Sequence, residues 1–263
     1  MITELRAGNP IVHCITNHVV SNFQANGLLA IGASPIMGEA PEEAAELAAL
    51  AGAVSLNIGT LNAGTLESML IAGKTANRLK IPVVLDPVGV GASAFRAAAA
   101  EKLLKETSVS VLRCNAGELA AISGAKWQGK GVDAGSGEAD VRQLAVKTAN
   151  QLQLVVAVTG ATDIVTDGTE IVEIPFGHPL MSKITGSGCL LSAVVAAFLA
   201  VHPEKPLAAA AEALRFYGQA GELAGQSATG PGSFQSEFLN QLHLHGMAGS
   251  ERERTCGKEV QQK

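Results

Sequence analysis

The sequence is poor in aromatic residues, in basic charge and in long apolar runs. Only 3% of its 263 residues are aromatic, whereas surfaces that bind single-stranded RNA stack bases on exposed aromatic rings. The net charge is −5, the wrong sign for nucleic acid or anionic lipid. No apolar run reaches the ~20 residues of a membrane span, and the first residues lack a signal-peptide pattern. We therefore expect no nucleic-acid or membrane partner and a cytoplasmic location.

Metal-binding cysteine and histidine patterns are also missing. The four cysteines are Cys14, Cys114, Cys189 and Cys256. None belongs to a C-x-x-C pair, which argues against a structural zinc site or a disulfide framework. His13 and His18 flank Thr16-Asn17 near a predicted strand end without any H-E-x-x-H spacing. Isolated histidines of this kind are usually structural, so we assign them neither as metal ligands nor as bases.

What the sequence does contain is a regular alternation of short β-branched runs and Ala/Leu-rich helical patterns. The predicted strands are 11–16, 53–58, 82–86, 109–113, 154–159, 163–166 and 170–174, the last two forming a hairpin around Asp167-Gly168. The predicted helices are 20–30, 41–51, 63–79, 94–105, 138–152, 187–201 and 206–226. This alternation predicts a three-layer α/β/α fold with a mostly parallel central sheet.

No linker or composition break divides the chain before residue 245. The final stretch is charged and poor in apolar residues, as solvated tails are. We therefore predict one domain, residues 1–245, followed by a polar, disordered tail, residues 246–263.

Two glycine motifs suggest nucleotide-binding loops. Gly73-Lys74-Thr75 resembles the end of a P-loop, but the first glycine of that motif would fall at Ser68, and the segment lies inside a helical pattern. The stretch 89–94 matches G-x-G-x-x-A after a strand, but no acidic residue about 20 positions on ends a following strand. A nicotinamide-dependent oxidoreductase using residues 89–94 therefore remains an alternative.

Phosphate-compatible groups follow four separate predicted strands. They are Asp86, Arg113 with Glu118, Thr159, and the turn 185–188 before a helix. Ligands of open α/β sheets bind beyond the carboxyl ends of the strands. Carboxylates suit Mg²⁺, arginine and threonine hold phosphate oxygens, and a glycine turn before a helix binds anions. A strand-end Asp can instead cap a helix, and Asn-x-x-Glu can be a capping box, but together these groups indicate a polyphosphate site.

Long blocks of the sequence then identify a family. From about residue 10 to residue 240 the chain closely resembles the hydroxyethylthiazole kinases, of the ribokinase-like superfamily. The resemblance is carried by HCITNHVVSNFQANGLLAIGASPIM, LNIGTL, VVLDPVGVGAS, RCNAGELA, KGVDAG, AVTG, ITGSGCLLSAVVAAF and GPGSFQ. It implies a ribokinase-like fold without a separate lid domain. It also implies transfer of the γ-phosphoryl group of ATP, with Mg²⁺, to the primary hydroxyl of 4-methyl-5-(2-hydroxyethyl)thiazole in thiamine biosynthesis or salvage. A catalytically inactive nucleotide-binding regulator on this fold is a further alternative.

The resemblance also implies residue roles and an assembly. Arg113 and Thr159 match nucleotide-binding positions, and Asp86 and Glu118 match the acidic residues associated with Mg²⁺. Met37 matches a substrate contact, Asn17 lies near the substrate, and Gly186 matches the substrate-side glycine of the anion hole. Because the donors of such a hole are main-chain N–H groups, we expect Gly188 to take part as well. The family forms trimers with sites between subunits, so we expect a homotrimer. RCNAGE departs from the family by placing Cys114 where glycine is common.

Cys189 stands where ribokinase-like enzymes usually have an aspartate that takes the proton of the attacking hydroxyl. The start of a helix should lower the pKa of a thiol, whereas a nearby γ-phosphate should raise it. We predict that Cys189 faces the alcohol and assists weakly. The alternative is that Cys189 is only a small residue packed under the substrate.

Overall fold

The computed structural model describes residues 1–125 and 138–247, and all the described strands form one eight-stranded sheet. The strands are β1 (Ile11–Ile15), β2 (Ser34–Ile36), β3 (Ala53–Asn57), β4 (Val83–Asp86), β5 (Val111–Asn115), β6 (Val155–Thr159), β7 (Asp163–Thr166) and β8 (Ile171–Ile174). Their order is β2-β1-β3-β4-β5-β6-β7-β8. The first six are parallel, and β7 and β8 are antiparallel. The prediction of a mostly parallel sheet is confirmed.

Helices cover both faces of this sheet. They are α1 (Ile2–Gly8), α2 (Ser21–Ile31), α3 (Pro41–Leu50), α4 (Ala63–Arg78), α5 (Ala94–Glu106), α6 (Ala116–Ser123), α7 (Glu138–Leu152), α8 (Ser187–Val201), α9 (Pro206–Ser227) and α10 (Pro231–Leu244). One core lies between the sheet and α1, α2, α8, α9 and α10, and a second core lies between the sheet and α3 to α7. The fold is therefore a three-layer α/β/α sandwich, as predicted.

Helix α8 is the central element of the first helical layer. Every residue from Leu190 to Leu199 is buried, because α8 packs on the sheet with one face and against α2 and α9 with the others. Gly27 of α2 lets the two helices approach closely, since a Cβ there would overlap Leu190 Cδ1. At ~1.5–3 kcal/mol for each large buried aliphatic side chain, this packing fixes where the first turn of α8 meets the strand ends.

Several predicted features match the structure, and others differ. The hairpin around Asp167-Gly168 is confirmed, with Gly168 at φ +94°. The segment Gly73-Lys74-Thr75 lies inside α4, as predicted from its helical pattern. The strand predicted at 109–113 is Val111–Asn115, and α1, β2, α6 and α10 were not predicted. The predicted tail lies outside the described residues from residue 248 onward.

No helix in the described part of the chain combines the length and apolar character that a membrane crossing requires. Cys14 and Cys114 are buried, free thiols, and Cys256 lies outside the described residues.

Candidate active site

Three of the predicted site residues lie together at the carboxyl ends of β4, β5 and β6. Arg113 Nη2 donates to Thr159 Oγ1 at 2.8 Å, and Arg113 Nη1 donates to Asp86 Oδ2 at 3.4 Å. The parallel register, which pairs Asn115 with Thr159, brings these strand ends to one edge of the sheet. These three side chains, which follow separate strands of the sequence, are therefore in contact.

Asp86 is the buried centre of this cluster, with no exposed surface. Its Oδ2 also accepts hydrogen bonds from Asn57 Nδ2 and from Ser192 Oγ, both at 2.8 Å. Burial raises the pKa of Asp86, and the Arg113 charge and these donors counteract that rise. Removing one partner of a buried ion pair typically costs ~3–5 kcal/mol, so Asp86 holds the Arg113 guanidinium in place.

The Arg113 guanidinium lies against the first turn of α8. A Cβ added to Gly188 would lie 2.9 Å from both Nη1 and Nη2 of Arg113, so only glycine permits this approach. Burial alone would lower the pKa of Arg113, but nearby negative charges, mainly the carboxylates of Asp86 and Glu118, together raise it by more than burial lowers it. The guanidinium therefore stays charged. The first backbone N–H groups of a helix have no intrahelical acceptors and sit at its positive end. A fixed cation and free N–H groups therefore meet at one anion-binding position.

The turn that leads into α8 is held from three sides. Gly186 has φ +91°, and a Cβ there would lie 2.5 Å from Val20 Cγ1. Ser187 Oγ donates to the Met181 carbonyl at 2.8 Å, and the Tyr217 hydroxyl donates to the Ser187 carbonyl at 2.6 Å. Burial raises the pKa of Tyr217 well above its ordinary value, so this hydroxyl remains a donor. The turn is thus built to keep one conformation.

Glu118 occupies the edge of the same cluster and forms a capping box. Its Oε2 accepts the Asn115 N–H at 2.9 Å, and its own N–H donates to Asn115 Oδ1 at 2.9 Å. Glu118 Oε1 accepts the Gly89 N–H at 2.9 Å. Burial raises the pKa of Glu118, and the Asp86 charge adds to this. The capping function, which the sequence pattern allowed, is real, and each carboxylate oxygen keeps a second lone-pair site.

Cys189 lies in the first turn of α8, next to Asn17. Asn17 Nδ2 donates to the sulfur at 3.4 Å, and Gln24 Nε2 donates to the Cys189 carbonyl at 3.0 Å. Burial raises the pKa of the Cys189 thiol, and the Asp86 carboxylate adds to this. The Asn57 side chain, the Arg113 charge and the Asn17 hydrogen bond counteract only part of that rise. The thiol is therefore mainly neutral at pH 7, although its place at a helix start favours the thiolate.

Met37 is not brought into this cluster within one chain. It follows β2, the edge strand, whereas Asp86 ends β4. Its neighbour Gly38 is held by His13, whose Nε2 lies 2.8 Å from the Gly38 carbonyl. His13 is buried and burial lowers its pKa, as in a structural histidine, while His18 is exposed.

The residues present fit a magnesium ion that arrives with a nucleotide. The described residues contain no group of three or more His, Cys, Asp or Glu side chains placed to hold a metal by themselves. Mg²⁺ in nucleotide sites is usually held by one or two carboxylates, substrate phosphates and water. Asp86 and Glu118 supply such a pair, and Asp86 Oδ1 is buried with no hydrogen-bond partner among the described residues.

Sequence reasoning missed three polar residues of the cluster, namely Asn57, Ser192 and Tyr217. Asn57 is the last residue of β3. The predicted strand ran to residue 58, so Asn57 did not stand out as a polar residue at a strand end. Ser192 lies inside the apolar run of α8, and Tyr217 is the single tyrosine of the chain. A polar residue at a strand end and a serine in an otherwise apolar helix were the available signals.

Comparisons with known proteins show the family of this chain. The model of the hydroxyethylthiazole kinase family matches residues 2–246. A solved hydroxyethylthiazole kinase from Pyrococcus horikoshii is 40% identical, with a TM-score of 0.86, and the match covers 97% of this chain and 94% of that one.

More distant structures share the fold. A ribokinase-like superfamily protein from Enterococcus faecalis has 12% identity and a TM-score of 0.65, over 92% of this chain and 88% of that one. A phosphomethylpyrimidine kinase from Clostridium difficile has 16% identity and a TM-score of 0.56, over 79% of this chain and 98% of that one. The fold is thus ribokinase-like, and the chain belongs to the hydroxyethylthiazole kinase family.

Proposed function

We propose that this protein transfers the γ-phosphoryl group of ATP to the primary hydroxyl of 4-methyl-5-(2-hydroxyethyl)thiazole, in thiamine biosynthesis or salvage. The observation that carries the proposal is the contact of the charged Arg113 guanidinium with Gly188, beside Cys189. The Arg113 cation, the N-terminus of α8 and the Cys189 thiol lie next to one another here. A phosphoryl group and an alcohol would need this combination of groups. Membership of the family supports the choice of substrate.

The chain's own residues act mainly by positioning charge. Phosphoryl transfer has a loose transition state whose charge spreads over the phosphoryl oxygens, so preorganised donors and cations dominate catalysis. Arg113 and the N–H groups of the first α8 turn bind those oxygens, and Thr159 orients Arg113. Mg²⁺, held by Asp86 and Glu118 directly or through water, would neutralise phosphate charge.

Cys189 faces the alcohol and assists weakly. General-base help is typically worth ~10²–10⁴-fold, and a mainly neutral thiol supplies only part of it. Cys189 therefore contributes less to the rate than the anion-binding turn, residues 185–188, does.

The proposed assembly is a cytoplasmic homotrimer whose thiazole site includes Met37 from one subunit and Cys189 from its neighbour. Two observations support a shared site: Met37 lies at the sheet edge away from Asp86, and Val19, two residues after Asn17, is 70% exposed. Sedimentation at assay concentration should give a trimer, and a fully active monomer would contradict the shared site.

The alternative of a nicotinamide-dependent oxidoreductase has less support. The Gly89 N–H, which a dinucleotide phosphate would need, donates to Glu118 Oε1 instead. An inactive regulator would bind nucleotide without turnover.

One experiment separates the three functions. Thermal unfolding is measured with Mg-ATP, Mg-ADP or NAD(H), and ADP release is then followed with thiazole, pyrimidine and sugar alcohols. We expect stabilisation by the magnesium nucleotides and turnover with the thiazole alcohol. Arg113→Met should lose both, whereas Arg142→Met, at a half-exposed surface ion pair with Glu173, should keep both. Stabilisation by NAD(H), or nucleotide binding without turnover, would refute the kinase.

A further inference from the structure

A chain of hydrogen bonds connects the buried carboxylate to the Cys189 sulfur through two amides. Asn57 Nδ2 donates to Asp86 Oδ2 at 2.8 Å, and Asn17 Nδ2 donates to Asn57 Oδ1 at 3.0 Å. The second Asn17 N–H donates to Cys189 Sγ at 3.4 Å. We refer to Asp86, Asn57, Asn17 and Cys189 as the amide relay.

The orientation of both amides is fixed by a backbone group. The Gly59 N–H lies 2.9 Å from one end of the Asn57 amide, and because a backbone N–H can only donate, that end is the carbonyl oxygen. The NH₂ end of Asn57 must then face Asp86. Asn17 in turn must present its NH₂ group to Asn57 Oδ1, which leaves its other hydrogen for the sulfur.

The surroundings prevent either amide from turning over. Asn57 is 1% exposed and Asn17 is 5% exposed. A Cβ on Gly59 would lie 2.8 Å from Asn17 Cβ and Nδ2, so the Asn17 side chain packs directly on the backbone there. That backbone is held by Arg96, whose Nη1 donates to the Ile58 carbonyl at 2.7 Å and whose Nη2 donates to the Gly59 carbonyl.

We propose that Asn57 is a positioning residue of the phosphoryl transfer, which acts both by its own contact with the thiol and through Asn17 to hold the Cys189 sulfur as a hydrogen-bond acceptor. With its protein side bound by Asn17, the sulfur presents its remaining lone pair to the substrate hydroxyl. The hydroxyl donates to that lone pair, which aims an oxygen lone pair at the γ-phosphorus. The relay also ties the sulfur to Asp86, the residue that holds Arg113. This role rests on the proposed function, since it requires that Cys189 faces the alcohol.

A double-mutant cycle on kcat tests the relay. Asn57→Ala should lower kcat about 10-fold in the native enzyme but less than about 2-fold in a Cys189→Ala background, because interacting residues are non-additive. The KM for Mg-ATP should change less than about 2-fold, since Arg113 keeps its bonds to Asp86 and Thr159. Asn17→Ala should show the same dependence on Cys189.

Ser192→Ala is the matched control. It removes another 2.8 Å hydrogen bond to the same Asp86 oxygen but lies off the path to the sulfur. Its effect on kcat should be equal in both backgrounds. Thermal unfolding and stabilisation by Mg-ATP verify that each variant is folded, and Asn57→Ser replaces Asn57→Ala where the latter does not fold.

The possible outcomes distinguish a failure of the amide relay from a failure of the proposed kinase function. Equal effects of Asn57→Ala with and without Cys189, or Ser192→Ala coupling as strongly as Asn57→Ala, would overturn the relay. A native enzyme without thiazole turnover would refute the proposed function itself. A native enzyme with turnover that Cys189→Ala leaves unchanged would overturn the relay alone, because the sulfur would then have no role.

Discussion

Replacing Gly188 by alanine should lower kcat/KM for Mg-ATP while leaving the protein folded. The new Cβ would lie 2.9 Å from both terminal nitrogens of Arg113 and 3.2 Å from Cζ, so the guanidinium must move by about 0.5 Å to reach ordinary contact. That movement disturbs the 2.8 Å bond to Thr159 and the 3.4 Å bond to Asp86.

The magnitudes of the two effects differ. Overpacking costs ~1–3 kcal/mol, but alanine favours a helix over glycine by ~1 kcal/mol, so the free energy of unfolding should fall by at most about 2 kcal/mol. A charge-assisted hydrogen bond is worth ~1.5–3 kcal/mol. Losing one such hydrogen bond from Arg113 to the nucleotide phosphate should lower kcat/KM for Mg-ATP roughly 10–100-fold. Steady-state ADP release and thermal unfolding measure the two quantities.

Gly232 provides the control, because it is also the second residue of a helix, α10, and a Cβ there would meet nothing within 4 Å. Gly232→Ala should keep full activity and gain slightly in stability. If Gly188→Ala has the same kcat/KM as Gly232→Ala, the guanidinium contact does not matter for catalysis and the reasoning is wrong.

Three further predictions concern single side chains. Cys189→Ala should slow kcat modestly, and Cys189→Asp should stay active or become faster; a folded but inactive Asp variant would show that the position needs a neutral thiol. Glu118→Gln should weaken Mg²⁺-dependent turnover far more than thermal stability, and an unchanged kcat at every Mg²⁺ concentration would remove Glu118 from the metal site. Burial raises the pKa of Asp163 from 3.8 to about 6, although the Gly160 N–H counteracts this. The unfolded chain therefore loses this proton before the folded protein does, so Asp163 should lower stability as the pH rises from about 4 to about 6. Asp163→Asn should remove that part of the decline in melting temperature, and identical pH profiles for both proteins would contradict it.

The sheet could be predicted because its strands are buried on both faces and read as β-branched runs between helical patterns. Edge strand β2 has three residues, Ser34-Pro35-Ile36, too few for a periodic signal, and proline is tolerated there because an edge strand leaves N–H groups unpaired. Helix α6 has eight residues, and its start, Asn-Ala-Gly-Glu, was interpreted as a metal site. That segment proved to be a capping box as well.

The position of polar residues at strand ends was enough to predict that Asp86, Arg113 and Thr159 lie together. The same rule could not place Ser192, which reaches Asp86 across 106 residues of sequence, nor the path from Asn57 to the sulfur. Such contacts depend on the packing of α8 against β4 and on side-chain orientation, which residue type and spacing do not encode locally. Met37 shows a different limit, since only the family resemblance assigns it to the site, and the edge strand β2 that precedes it is separated from β4 by β1 and β3.

The identity of the phosphorylated product tests the central claim most directly. Purified protein is incubated with Mg-ATP and 4-methyl-5-(2-hydroxyethyl)thiazole, and the products are followed by phosphorus nuclear magnetic resonance and mass spectrometry. We expect one thiazole phosphate monoester for each ADP formed, with much higher kcat/KM than for the pyrimidine or sugar alcohols. ADP formed without a thiazole phosphate, or a preference for another alcohol, would contradict the account.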